Sequence, residues 1–144
     1  MKALIQRVTS SSVEVDGTNV GQINKGLLVF IGIEKLDELS HADKMTNKIL
    51  SYRVFSDEND KMNLSVSDIN GDVLLVPQFT LAADTKNGTR AGFSTAMKPI
   101  EAENIYDYML EKFKTYVNIQ SGVFGAHMKV SLVNDGPVTF LLEC

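Results

Sequence analysis

The sequence predicts one α+β domain over residues 1–144, rich in strands and carrying two main helices. Three observations support this. Apolar and polar residues alternate along the first fifteen positions, as in a strand. Two later stretches repeat apolar residues at helical spacing. No repeat, low-complexity tract or linker divides the chain, and 144 residues fit a single domain.

KALIQRVTSSSVEV, residues 2–15, alternates well enough for a long strand. Asp16-Gly17 follows as a turn, and TNVGQI reads as a short return strand. GLLVFIGIE, 26–34, is a nearly continuous apolar run and reads as a buried strand. Ser40 suits an N-cap. Ala42, Met45, Ile49 and Tyr52 then recur at helical spacing, giving a helix over about 40–53. Residues 63–67 suit a strand, and Asn70-Gly71 is a two-residue hairpin signal. DVLLVPQFTLAAD, 72–84, begins as a buried strand and is interrupted at Pro77.

TKNGTRAGFSTAM, 85–97, is a polar loop long enough to carry function. Pro99 suits the first turn of a helix over about 99–117, with Ala102, Ile105, Tyr106, Met109, Leu110 and Phe113 on its apolar face. Strands are expected at 127–134 and 137–143, joined through Asp135-Gly136 and followed at once by Pro137.

The bulk numbers narrow the function. Hydrophobic residues at 44% and charged residues at 22% are ordinary for a soluble globular protein. No apolar run reaches the ~18 residues of a membrane span, and the N-terminus lacks a signal-peptide apolar stretch. The one cysteine, Cys144, has no partner within the chain, so the cytoplasm is the expected compartment. A net charge of −4 argues against indiscriminate nucleic-acid binding, and no DNA partner is expected. Lys86, Arg90 and Lys98 form a local basic patch or are scattered solubilising charges.

The usual catalytic constellations are missing. His41 opens a helix and reads as a solvated residue, and His127 opens a strand. There is no HExxH, CxxC, Walker-type loop or GxSxG elbow, so no metal or cofactor is expected. Two strings remain. In PQFTL, 77–81, Gln78 and Thr80 share one parity and Phe79 takes the other. A strand end with free N–H groups can stabilise an oxyanion, although Thr80 also reads as a plain strand residue. The other string is NDGPVTF, 134–140, where Gly136 can take backbone angles other residues avoid.

Together QFTLAADT at 78–85 and VNDGPVTF at 133–140 resemble the two signature motifs of D-aminoacyl-tRNA deacylases. ALIQRV at 3–8, GLLVFIGIE at 26–34, KMNLSV at 61–66 and FSTAMKP at 93–99 also fall in that family's order and spacing, so the resemblance covers essentially the whole chain. It implies a mainly antiparallel or mixed, barrel-like sheet and a homodimer with its sites at the subunit interface. It implies hydrolysis of D-aminoacyl-tRNA, and of glycine mischarged onto alanine tRNA. It further implies a cis Gly136–Pro137 bond whose residues project into the other subunit's site and exclude an L side chain. Arg7 and Asn134 would support that segment. Gln78 would orient the ester, and the N–H groups of Phe79 and Thr80 would face the oxyanion. The 2′-hydroxyl of the terminal adenosine would help activate water. Phe124 and Met128 fall where the family binds adenine.

Two departures stand out. Pro77 replaces the family's usual serine, removing a hydroxyl and an N–H. Ala91-Gly92 replaces its usual Pro-Ser, which loosens the expected tRNA contacts of that loop. The competing readings are a tRNA-binding module of the same fold that no longer cuts, and an esterase with Thr80 as nucleophile.

Overall fold

Lys2–Val15 forms β1, the strand on which the rest of the sheet is assembled. One edge pairs antiparallel with β2 (Thr18–Ile23) and then β3 (Gly26–Gly32). Asp16 and Gly17, with φ of 49° and 77°, make the tight turn into β2. The other edge pairs antiparallel with β8 (Lys129–Glu143). The computed structural model describes residues 1–144.

β3 continues the sheet in parallel with β6 (Asp72–Pro77), and β6 in parallel with β7 (Asn118–Ser121). The sheet is therefore mixed, and it curls until β2 approaches β6 and β7. A separate small hairpin joins β4 (Phe55–Ser56) to β5 (Met62–Leu64). The result is a single small, barrel-like domain with two helices, α1 (Leu39–Ser51) and α2 (Pro99–Lys114).

Both helices lie on one face of the sheet, because their apolar stripes need the same core. Ala42, Met45 and Ile49 of α1 meet Ile105, Met109 and Phe113 of α2 over Ile5, Leu27, Val29 and Val73. A smaller cluster, Val8, Val13, Ile23, Leu28, Leu74 and Val76, fills the other face. At the helix contact, Lys112 and the Tyr108 hydroxyl both donate to Asp43. Those two bonds hold the Asp43 carboxyl below its ordinary range. The Met1 ammonium donates to Asp37 at 2.9 Å and to the Cys144 carbonyl at 3.0 Å. No helix is long and apolar enough to cross a membrane.

Several expectations change. α1 opens at Glu38 rather than Ser40, because His41 Nδ1 accepts the Glu38 N–H at 3.0 Å and closes the first turn. Asn70-Gly71 is a turn with φ of 51° at Asn70, yet it joins no hairpin: β5 and β6 belong to different sheets. The strand expected over 63–67 stops at Leu64, where Ser65 and Asp68 exchange side chain–backbone bonds and turn the chain. The largest change concerns the C-terminus. The strands expected at 127–134 and 137–143 are one strand, since β1 captures both halves. Gln6 pairs with Thr139 and Val8 with Asn134, so residues 135–138 stand opposite Arg7 alone and bulge out of the sheet.

Candidate active site

The motif at the end of β6 is shaped by a proline and a glycine. Pro77 has no N–H, and the ladder is taken up by Gln78, whose N–H donates to the Ile31 carbonyl at 2.8 Å. The chain then coils into a 3-10 turn over Phe79–Ala82. That turn sits against Gly32, where a Cβ would lie 2.7 Å from Leu81 Cβ. Only a glycine lets the turn pack so closely on β3. Gln78 Nε2 donates to Thr80 Oγ1. The Leu81 N–H donates to the Gln78 carbonyl and the Ala83 N–H to that of Thr80, so the N–H groups of Phe79 and Thr80 stand ahead of the turn's own first bond.

This turn forms one wall of a cleft of about 660 Å³. Gln78 and Phe79 line it together with Phe93, Met97, Phe124 and Met128, and most of the lining is apolar. Phe79 and Phe93 are both exposed, with ring centroids 5.1 Å apart. Phe124 is half-buried and backed by Tyr106, 5.9 Å away. Tyr106 donates to the Leu75 carbonyl at 2.7 Å, and burial pushes its phenol well above the ordinary range, so it stays a neutral donor. Met128 is held in place by the Val123 N–H, 3.4 Å from its sulfur. Lys98 and His127 are the ionisable residues of the lining, and neither has a carboxylate partner. No three His, Cys, Asp or Glu side chains converge to hold a metal ion.

The second motif forms a separate cluster. Arg7 Nε donates to the Asp135 carbonyl at 3.0 Å, and Nη1 donates to the Val54 carbonyl at 2.6 Å. Asn134 Oδ1 accepts the Val138 N–H at 3.1 Å, and its Nδ2 donates to Thr139 Oγ1 at 2.9 Å. Gly136 has φ of 138°, and its peptide bond to Pro137 is cis. A Cβ on Gly136 would lie 2.6 Å from Val138 Cγ2 and 3.2 Å from Arg7 Nη2.

The structure thus gathers Gln78, Phe79, Phe124 and Met128 around one cleft, with Thr80 exposed beside Gln78. It gathers Arg7, Asn134, Gly136 and Pro137 at the bulge of β8. Within one chain the two groups stay apart: none of the second lines the cleft. Sequence reasoning missed Phe93, Met97 and Lys98 as cleft residues. The string FSTAMKP marked their segment without showing that the Met97 N–H ties it to Ile33 at 3.1 Å.

Comparison with known proteins matches this arrangement to relatives. A family model described as D-Tyr-tRNA(Tyr) deacylase matches residues 4–143. The D-aminoacyl-tRNA deacylase of Aliivibrio fischeri is 52% identical over 143 residues, covering 99% of each chain. That of Pseudomonas putida is 54% identical over 144 residues, again covering 99% of each. Among solved structures, one described as a c-Myc DNA unwinding element binding protein is 42% identical, with a TM-score of 0.96 over 100% of this chain and 99% of that one. A probable eukaryotic D-amino acid tRNA deacylase shares the fold at 15% identity, with a TM-score of 0.86 over 98% of this chain and 97% of the other. Matched nearly end to end and by more than half of its residues, the chain belongs to the D-Tyr-tRNA(Tyr) deacylase family.

Proposed function

We propose that this chain hydrolyses the ester bond of D-aminoacyl-tRNA, releasing the D-amino acid and tRNA, and that it spares the L ester. The observation that carries this is the pair of N–H groups at Phe79 and Thr80 that open the 3-10 turn ahead of its first internal bond, set on the rim of an apolar cleft in a chain of this family. Two donors fixed by a tight turn suit the oxyanion of an ester undergoing attack. The terminal adenine lies in the cleft against Phe124 and Met128, since base stacking on an aromatic ring is a normal mode of RNA recognition. Gln78 orients the ester. His127 and Lys98 line the cleft without a carboxylate partner to support them, and activation of the water is assigned instead to the 2′-hydroxyl of the terminal adenosine, with the protein supplying position.

Chirality is handled by exclusion. Gly136 and Pro137 enter the cleft of a second copy in a homodimer, a reading supported by their exposure and by their lying outside their own chain's cleft. The α-hydrogen of a D residue fits against that backbone, whereas an L side chain collides with it. Glycine has nothing to collide, so glycyl-tRNA(Ala) is also cleaved. The place of action is the cytoplasm, where aminoacyl-tRNA is used. The decisive experiment compares D-tyrosyl-tRNA and L-tyrosyl-tRNA in a deacylation assay. Loss of the D ester alone is expected, and equal rates on both would sink the exclusion account.

A second reading has one observation in its favour. Pro77 lines the cleft without the hydroxyl a serine would bring. A tRNA-binding module that no longer cuts predicts tRNA binding with no turnover at any protein concentration.

A further inference from the structure

We propose that Gln6 and Thr139 are positioning residues: with Asn134 they form a hydrogen-bonded chain that closes the neck of the 135–138 bulge and fixes where Gly136 points. The inference rests on the chiral role proposed for that bulge and names the residues that aim it.

Register explains why such a device is needed. The pairs Gln6–Thr139 and Val8–Asn134 flank the bulge, and the four residues between them have only Arg7 opposite. Their backbone is therefore cut off from the sheet ladder that holds the rest of β8. Side chains replace it on two flanks. On the Asp135 side, Arg7 donates to the main-chain oxygen. On the Val138 side, the support begins with Asn134 Oδ1, which accepts the Val138 N–H at 3.1 Å.

That bond sets the rest of the chain. An amide whose oxygen faces an N–H must turn its nitrogen the other way. Asn134 Nδ2 accordingly donates to Thr139 Oγ1 at 2.9 Å. Gln6 Nε2, from β1, donates to the same oxygen at 3.2 Å. A hydroxyl oxygen accepts two such bonds, so Thr139 is filled as an acceptor. It joins the point where the bulge leaves β8 to the one where it returns, and ties both to β1. Without this joint, the Asn134 amide that holds the Val138 N–H loses its own anchor, and Arg7 is the one support left fixed.

The two bonds to Thr139 Oγ1 are solvent-accessible, so each adds little to global stability. Their effect on function is larger, because small misplacements of an excluding group change rates steeply. Position and stability should therefore separate in the variants. Thr139→Val and Gln6→Leu should accelerate hydrogen exchange at the Val138 amide about tenfold, as expected for loss of a bond of ordinary strength. The ratio of D-tyrosyl- to L-tyrosyl-tRNA kcat/KM should narrow by about as much, while Tm moves by less than ~2 °C. Thr139→Ser, which keeps the hydroxyl, should restore both readouts. Unchanged Val138 exchange in Thr139→Val overturns the proposal. So does an unchanged ratio where the unsubstituted protein is D-specific. If that protein cleaves neither ester, the functional reading has failed, and the exchange measurement still decides the clasp.

Discussion

Arg7 Nε donates to the main-chain oxygen of Asp135 across 3.0 Å, a bond between residues 128 positions apart that pins an exposed bulge to the first strand. The same guanidinium donates to Val54 through another nitrogen, so its planar fork spans three segments. An ammonium is a single point of charge and cannot reproduce that geometry. Arg7→Lys should lower D-tyrosyl-tRNA turnover about tenfold and raise hydrolysis of the L ester, as a loosened excluding group predicts. Paired kinetics on the two esters would check this, and unaltered stereoselectivity would remove Arg7 from the account.

Gly136→Ala should be harmful on two counts. Its φ of 138° disfavours any side chain, and a new Cβ would stand 2.6 Å from Val138 Cγ2. Urea denaturation should show a loss of about 1–3 kcal/mol, and D-specific deacylation should vanish. A variant of wild-type stability and activity would contradict the geometry.

Thr80→Val leaves the backbone N–H in place and removes only the hydroxyl bonded to Gln78. Turnover should fall less than about tenfold, whereas a 2′-deoxy terminal adenosine should lower it a hundredfold or more, within the usual range for losing an acid–base group. The opposite pattern, total loss with Val and tolerance of the deoxy substrate, would make Thr80 the nucleophile.

Phe124→Ala should act through binding. Its ring lines the cleft, and stacking a base on such a ring contributes about 1–3 kcal/mol, so KM should rise roughly five- to a hundredfold with kcat little changed. Because Phe124 also leans on Tyr106, its Tm should be recorded alongside. A drop in kcat at constant KM would place Phe124 outside the adenosine site.

Acid should weaken the contact between the helices. Bonds from Lys112 and then Tyr108 lower the Asp43 carboxyl in the folded protein relative to the unfolded chain. A lowered folded value means stabilisation that is present above the unfolded carboxylate range, near 3.9, and lost as pH falls through the folded value. Asp57 and Asp68, both lowered first by backbone N–H bonds, shift in the same sense. Thermal melts between neutral and strongly acidic pH should show falling Tm, with a shallower fall in Asp43→Asn. An identical slope in that variant would assign the acid sensitivity elsewhere.

The legible parts of the fold were those whose pattern is long and local. β1 alternates over fourteen residues, and α2 repeats its apolar face over four turns behind Pro99. β7 was invisible, because Asn118–Ser121 is short, polar and partnered only by the distant β6. NDGP misled for a related reason: its local chemistry suits a hairpin, yet β1 is long enough to pair with the chain on both sides of it. The candidate site residues stood out in the sequence as two motifs. Their division into a cleft and a separate bulge required tertiary structure, as did Gly32, whose missing side chain admits the turn that carries Phe79 and Thr80.

The register of β8 also bears on how such a protein can change. Pairing with β1 is set independently before Asn134 and after Thr139, so the sheet does not care what lies between them. The four intervening residues behave as a cassette mounted on an indifferent frame. Gly136, held to glycine by its backbone, and Val138, which packs against the core, are constrained within it, whereas Asp135 and Pro137 can change, altering reach and stringency, while the hydrophobic interior stays as it was. Selectivity and foldability are thereby placed under separate evolutionary control within a single strand.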